Sequence, residues 1–437
     1  MKQGQLAKKP AKKGKQSPYN LLPILPGKGS MGPLKDMAQE IISASAGLEG
    51  RVAAETALVL GDRLRLINSY YSNLIEGHKT TIPDIEAALR KDFHQDPEKQ
   101  YAQELCAAHV ETERRFMQGI EGGHGPNICN KRYLCDMHGA FYANLPAEHL
   151  FTHTQEGFTA FPVRPGVIRD VNVSVDGRSI HGPDHEDLPA LLEEFAGVYN
   201  PDQCHGDERL IVMAASHHRL TWLHPFRDGN GRVARLFSGL YLARAGVNRG
   251  NLWSLSRGLS REKKQYMFEL WATDSPNSKR GPHYFDDDLL ADFCMFFLKT
   301  CLDQIGFMER LLRLDRVESR IDWYVEMRAK QADNPLRTEA AKLLRAVFMR
   351  GAVPRGVASE ILNMSARNAR RIVSALLNEG LLQSSSHRSP LTIGLPVHVL
   401  AFYFPSLYDP SVIGEEYLGS RTGGDVRKCI LGTMVKG

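Results

Sequence analysis

The stretch "TWLHPFRDGNGRVARLF" runs from Thr221 to Phe237 and sets a short polar segment between two apolar runs. Upstream, "RLIVMAASHHRLTWL" has helical periodicity. It must stop near His224, because the residue before Pro225 is pushed away from the α region. Downstream, "RVARLFSGLYLARAG" is helical again. The connection "FRDGNG" has to turn tightly, which Gly229 and Gly231 permit without side-chain clashes. The amides around Gly229, Asn230 and Gly231 therefore fall at a helix N-terminus. Their donors lack intrahelical partners, and the helix dipole favours an anion there.

Three additions sharpen that anion site. Arg232 and Arg235 are three apart in the first turn, so both can face one ligand. Two guanidinium groups plus backbone amides suit a polyphosphate better than a single carboxylate. Asp228 is placed to hold a divalent cation, and His224 to take a proton from a nucleophile approaching phosphorus. A buried Phe226 would pin the loop to the core. Taken singly, a histidine before proline is a loop residue and Asp-Gly-Asn-Gly is a turn. Base, cation ligand, amide cradle and paired arginines within residues 224–235 favour a catalytic site.

The string from His224 to Arg235 resembles the signature of the Fic family at every defined position, with supporting features from about Ser72 to Leu270. The resemblance implies a mainly α fold: a Fic-type helical core with a β-hairpin flap. It implies transfer of AMP from ATP to a Ser, Thr or Tyr hydroxyl of a target protein or of the chain itself, with Mg2+ and release of pyrophosphate. It further implies His224 as general base and Asp228 as magnesium ligand. Gly229, Asn230 and Gly231 would hold the α-phosphate region, Arg232 the β-phosphate and Arg235 the γ-phosphate. Phosphocholine or another nucleotide as donor stays open, since a phosphate cradle reads little of what hangs from it. Tyr266 either lines the adenine side or belongs to the core. His217 and His218 are adjacent, so a helix is expected to send one inward and one to a polar side, and neither is assigned to catalysis.

Ser72-Asn73-Leu74-Ile75-Glu76-Gly77 resembles the inhibitory motif of Fic proteins whose brake precedes the catalytic core. Glu76, near a helix end, would pair with Arg235 and occupy the arginine meant for the γ-phosphate. Ser72, one turn earlier, would cap or steady the helix. In some family members the same glutamate positions water for removal of AMP, so de-AMPylation is an alternative direction. "VNVSVDGRSI" alternates at Val171, Val173 and Val175 before an Asp176-Gly177 turn. It resembles the family's flap, which would hold a target segment by strand addition; a plain surface hairpin is the other reading. His181 and Pro183 lie where the flap returns to the core.

Outward from this centre, residues 1–35 read as a disordered basic tail and linker. Residues 36–130 read as a helical region carrying the inhibitory motif, and 131–330 as the catalytic core with its following helices. Residues 331–437 change character: "TEAAKLLRAVFMRG", "RGVASEILN" and "SARNARRIVSALLNEG" are three helices, capped in the last case by Ser365 and stopped by Gly380. A β-rich remainder, "LLQSSSHRSPLTIGLPVHVLAFYFP", completes the pattern of a winged helix-turn-helix. Arg367, Arg370 and Arg371 crowd one end of the third helix, so the domain is expected to bind DNA or to dock a protein, a homodimer partner included. A nucleotide-sensing DNA-binding regulator is therefore a rival to the enzyme, though ligand binding alone needs no base at His224.

The 437-residue chain has ordinary soluble composition, 42% hydrophobic and 24% charged. Its formal charge of +5 comes from six tail lysines with no acidic residue among them, which leave the rest at −1. No apolar run reaches membrane-spanning length, and the tail lacks a signal-peptide core. Seven scattered cysteines fit a reducing cytoplasm better than a disulfide framework. Cys129, Cys135 and His138 match no common zinc spacing.

Overall fold

The computed structural model describes residues 19–120, 125–153, 160–173, 182–275, 284–331 and 336–408. The chain is mainly helical, and the helical region before the core divides into α1 (Met31–Glu49), α2 (Ala54–Ile75), α3 (Ile82–Leu89) and α4 (Pro97–Gln118). α2 stops because Gly77 turns left-handed at φ +96°, letting the His78 N–H donate back to the Asn73 carbonyl at 3.0 Å. α3 and α4 start on the side-chain caps Thr81 and Asp96, each followed by proline in the first turn. Asn130 caps α5 (Lys131–Tyr142), which leads to a short antiparallel hairpin, β1 (Phe151–His153) with β2 (Ala160–Pro162). Of the flap segment, residues 174–181, including His181, lie outside the described residues.

The core follows as α6 (Leu188–Val198), α7 (Glu208–Leu223), α8 (Asn230–Arg244), α9 (Leu255–Arg261), α10 (Lys263–Thr273), α11 (Asp287–Leu311) and α12 (Leu314–Ala329). α7 packs between α8 and α11, while α2 lies across α4 and α9. This enclosure corrects the expected split of the adjacent histidines, because both His217 and His218 are fully buried. Ser238 Oγ donates to the Ala234 carbonyl, so His217 Nδ1 donates to Ser238 and Nε2 accepts from Tyr266, each at 2.8 Å. Burial, foremost, pushes His217 down to about 3, keeping this chain neutral.

Leu21, Pro23 and Pro26 are buried on the core, within a stretch expected to be linker. The buried guanidinium of Arg219 reaches out of α7 to the carbonyls of Leu21 and Pro23, and Tyr199 donates to that of Ile24. Backbone carbonyls of an irregular segment need such partners when covered.

The C-terminal part comprises α13 (Ala340–Arg350), β3 (Ala352–Val353), α14 (Ala358–Leu362), α15 (Ala366–Asn378), β4 (Leu382–Gln383) and β5 (Leu391–Ile393). The strands form an antiparallel sheet in the order β3-β5-β4. Gly380, at φ +70°, ends α15, but Ser365 makes no side-chain capping bond. The run "VHVLAFY" is not strand but helix α16 (Val397–Tyr403), packed on α12 and α3. It is buried on nearly every side, so no period distinguishes strand from helix. This part seats directly on α2: Thr56 Oγ1 donates to the Phe348 carbonyl at 2.9 Å and Tyr71 Oη to that of Leu407 at 3.3 Å. No helix among the described residues is long and apolar enough to cross a membrane.

Candidate active site

The loop between α7 and α8 is held by its own side chains. Asn230 Oδ1 accepts from the Phe226 N–H at 2.9 Å, and its Nδ2 donates to the Phe226 carbonyl at 2.8 Å. The Asn230 side chain is thus a staple across the loop, which leaves its backbone N–H, not its amide group, for an anion. Phe226 is buried, and its ring stacks on His138 with centroids 4.0 Å apart. His138 in turn bonds the Asp228 carbonyl through Nε2 at 3.2 Å and accepts from the Gly166 N–H at 2.9 Å. Asn230→Ala leaves two buried backbone groups unpaired, a loss of about 1–3 kcal/mol. A lowered melting temperature with reduced transfer is the expected result, and an unchanged melt would contradict the staple.

His224 takes the left-handed conformation at φ +45° and ψ +58°, where α7 ends. A non-glycine residue there is uncommon and carries strain of about 1–3 kcal/mol. The compensating grip is Arg169, a buried residue. Its Nε donates to the His224 carbonyl at 2.8 Å, and its own N–H bonds the Pro225 carbonyl at 2.9 Å. Its Nη1 and Nη2 reach the Val171 and Pro183 carbonyls at 2.9 and 2.5 Å. Arg169 therefore ties the histidine to both roots of the flap segment. Burial first, then the Arg169 charge, hold the His224 imidazole below the ordinary histidine range. It is neutral, and able to accept a proton, at pH 7.

On the other side of the loop, Asp228 Oδ2 accepts from the Tyr142 hydroxyl and from Arg232 Nη2, the latter at 2.6 Å. Burial would raise the Asp228 carboxyl, but Arg232 and the Tyr142 bond outweigh it and keep the group ionised. Gly229 stands at φ +78°, and a Cβ there would lie 2.6 Å from the Tyr142 hydroxyl. Glycine is required twice over. Arg232 Nε and Nη1 are buried and make no hydrogen bond among the described residues, although the Tyr101 hydroxyl is a close neighbour.

The N-terminus of α8 meets the end of α2. Arg235 donates through Nε to Ser72 Oγ at 2.9 Å and through Nη2 to the Ser72 carbonyl at 3.0 Å. The same Nη2 lies 2.5 Å from Glu76 Oε1. Of the two expected roles, capping or steadying the helix, Ser72 makes contacts of the second kind, tying α2 to Arg235. Burial would raise the Glu76 carboxyl, yet Arg235 and then Arg232 hold it below its ordinary range. A Cβ on Gly231 would collide with that carboxylate. The anion seated at this helix N-terminus is therefore the protein's own Glu76, with Gly77 completing the turn behind it.

A cavity of about 500 Å³ opens beside this contact, lined by Glu76, His224, Gly231, Arg235, Tyr266 and Trp271 among others. That volume lies in the range of small-ligand sites. Tyr266 is both core and cavity wall: its ring borders the space while its hydroxyl bonds His217. Lys263, also on the lining, donates to the Ile75 carbonyl at 2.5 Å and so fastens the end of α2. The structure brings together His224, Gly231, Arg235, Glu76 and Tyr266 around the cavity, with Asp228, Gly229, Asn230 and Arg232 in the adjoining loop and first turn. Cys129 is elsewhere, its thiol donating to the Tyr199 carbonyl, and no cluster of three or more metal-ligating side chains occurs among the described residues.

Sequence reasoning misses Arg169, Tyr142, His138 and Lys263. Each acts across a long separation with no local motif; only a buried arginine in "GVIRDV" offers a signal, and only after folding. Arg169→Met should raise the His224 pKa, move the acid limb of a pH–rate profile upward, and slow the rate about tenfold, or about 1.4 kcal/mol. Arg169→Lys keeps the charge but loses the forked geometry. It should slow the rate without moving the limb. A limb that stays put in both variants would contradict this coupling.

Residues 129–242 match the family model described as Fic/DOC family. A stretch of 85 residues is 39% identical to the protein adenylyltransferase Fic of Culex quinquefasciatus and 36% identical to that of Drosophila grimshawi. Each match covers 20% of this chain and 17% of the relative, so the chain spans about a sixth of the curated relatives it matches. A Fic family protein from Desulfovibrio desulfuricans aligns in structure over 87% of this chain and 99% of its own, at 17% identity and a TM-score of 0.48. His224 and Arg235 both fall inside the matched segment, and residues 129–242 of this chain are a Fic/DOC-family domain.

Proposed function

We propose that this chain is a protein adenylyltransferase, moving AMP from ATP to a hydroxyl side chain of a target protein or of itself, and that Glu76 holds it in check. The observation that carries this reading is the Glu76 carboxylate bound to Arg235 against Gly231, an anion at the α8 N-terminus where this reading seats phosphate. In the working state that carboxylate swings away and a triphosphate takes its place. Arg235 then meets the terminal phosphate, and the unpaired donors of Arg232 meet the one before it.

The hydroxyl oxygen attacks the α-phosphorus while its proton passes to the neutral His224 imidazole. The bond from that phosphorus to its bridging oxygen breaks, and pyrophosphate leaves. The α8 amides stabilise the charge that develops on the α-phosphate oxygens. Magnesium fits the donor set: Asp228 is ionised and partly exposed, and Tyr142 and Arg232 engage only its Oδ2. One hard carboxylate oxygen with phosphate oxygens and water is the usual magnesium environment, and the ion supplies charge neutralisation when bound.

The target segment lies along the flap, whose roots Arg169 fastens to His224. The C-terminal helices and their three-stranded sheet serve as a winged helix-turn-helix. A second reading, removal of AMP by water, is favoured by one fact: Glu76 and His224 line the same cavity. The experiment is incubation of the Glu76→Gly chain with ATP labelled at the α- or the γ-phosphate. Protein-bound label from the α position alone supports adenylyl transfer. Label retained from the γ position contradicts it.

A further inference from the structure

The outer face of α15 carries a basic stripe that the proposed transfer chemistry does not use. Ala369, Ile372, Val373 and Leu376 form the buried side of this helix. Arg367, Arg370, Arg371 and Ser374 stand exposed on the opposite side, at spacings of three and four residues, so they share one face. α15 leads through Gly380 into β4, and the turn between β4 and β5 exposes Ser385, Ser386, His387 and Arg388 at its tip. Hydroxyl contacts fix that turn, including Ser384 Oγ to the Ser389 carbonyl at 3.1 Å and Ser385 Oγ to Ser389 Oγ at 2.8 Å.

No aspartate or glutamate occurs from Asn363 to Asn378 or from Gln383 to Leu391. None of the four exposed arginines forms an ion pair among the described residues; Arg370 only touches its own helix at the Ala366 carbonyl. Glu379, which follows α15, is bound by Arg328 at 2.7 Å, and Glu360 on the neighbouring α14 is the other acid of this region. Unpaired like charges set 5–6 Å apart repel one another, and a polyanion relieves that repulsion.

We propose that the outer face of α15 is a docking surface for duplex DNA, with the β4–β5 turn as a second point of contact. α15 has 13 residues, which span about 20 Å at the helical rise, and a helix of about 10–12 Å diameter enters a B-form major groove. Arg388 on the turn then meets the flanking phosphates. The major groove of an RNA duplex is too deep and narrow for such a helix. A membrane surface is disfavoured too, since the exposed face of α15 bears no large apolar side chain.

The test uses the full chain with Lys2, Lys8, Lys9, Lys12, Lys13 and Lys15 changed to glutamine, so that the tail adds no attraction of its own. Binding to a labelled mixed-sequence DNA duplex is followed by fluorescence anisotropy between about 50 and 200 mM salt. With Arg367, Arg370, Arg371 and Arg388 each neutralising one phosphate at the groove edge, the slope of log K against log salt is about −3.6. Arg370→Ala/Arg371→Ala should bring the slope to about −1.8, while Arg370→Lys/Arg371→Lys keeps it. These side chains are exposed, so the melting temperature should not change, and a variant that melts early is replaced by Arg367→Ala/Arg388→Ala. An unchanged slope in the alanine variants overturns the proposal. Equal affinity for duplex RNA, for an acidic peptide or for anionic vesicles overturns it as well.

Discussion

Replacing Glu76 with glycine should raise AMP incorporation by roughly 10- to 100-fold, by removing a charge-assisted contact of about 1.5–3 kcal/mol that competes with substrate. Glu76 acts at two points at once. It takes Arg235 Nη2 at 2.5 Å, and its carboxylate lies where a Gly231 side chain would collide. A phosphate entering the cradle meets negative charge and an arginine already engaged. Glycine removes both obstacles while Ser72 and Lys263 still hold α2 and Arg235 in place. Labelled AMP on the protein measures the effect. No increase, with ATP bound as tightly as before, would contradict the brake.

His224→Ala should lower transfer by roughly 10²–10⁴-fold while leaving ATP binding largely intact, because the residue handles a proton rather than the nucleotide. The wild-type rate should follow the neutral imidazole. Burial and the Arg169 charge depress this group, so protonation, and with it loss of activity, sets in below the ordinary histidine value of about 6.5. From that point upward the base is fully available. The check is a pH–rate profile of the Glu76→Gly chain. An acid limb centred above the ordinary value, or transfer retained by His224→Ala, would remove His224 from this role.

Much of the site is legible in one unbroken stretch, because residues 224–235 set the helix end, the turn and the next helix start by local rules. His224 and Gly229 adopt the left-handed conformations such a junction needs. What escapes sequence reading is whatever the fold assembles from afar. Asn230 looks like a phosphate ligand but spends both side-chain groups on Phe226. Ser72 reads as a residue that caps or steadies its helix, but its partner, Arg235, lies 163 residues away. Arg169 and Tyr142 have no motif, and their partners lie 55 and 86 residues away. The fold shows the same division. Helices with caps and one apolar face are readable, whereas α16, covered on nearly all sides, loses the period that would distinguish it from a strand.

The proposed switch is a single contact: the Glu76 carboxylate holds Arg235 beside Gly231, next to His224. Intact-mass measurement after incubation with ATP and magnesium tests it most directly, on the wild-type, Glu76→Gly and Glu76→Gly/His224→Ala chains, alone and with cell lysate. The predicted result is one or more AMP additions on the Glu76→Gly chain or on a lysate protein, few with wild type, and none with the double variant. Equal modification by all three chains, or none by Glu76→Gly with ATP bound, would contradict it.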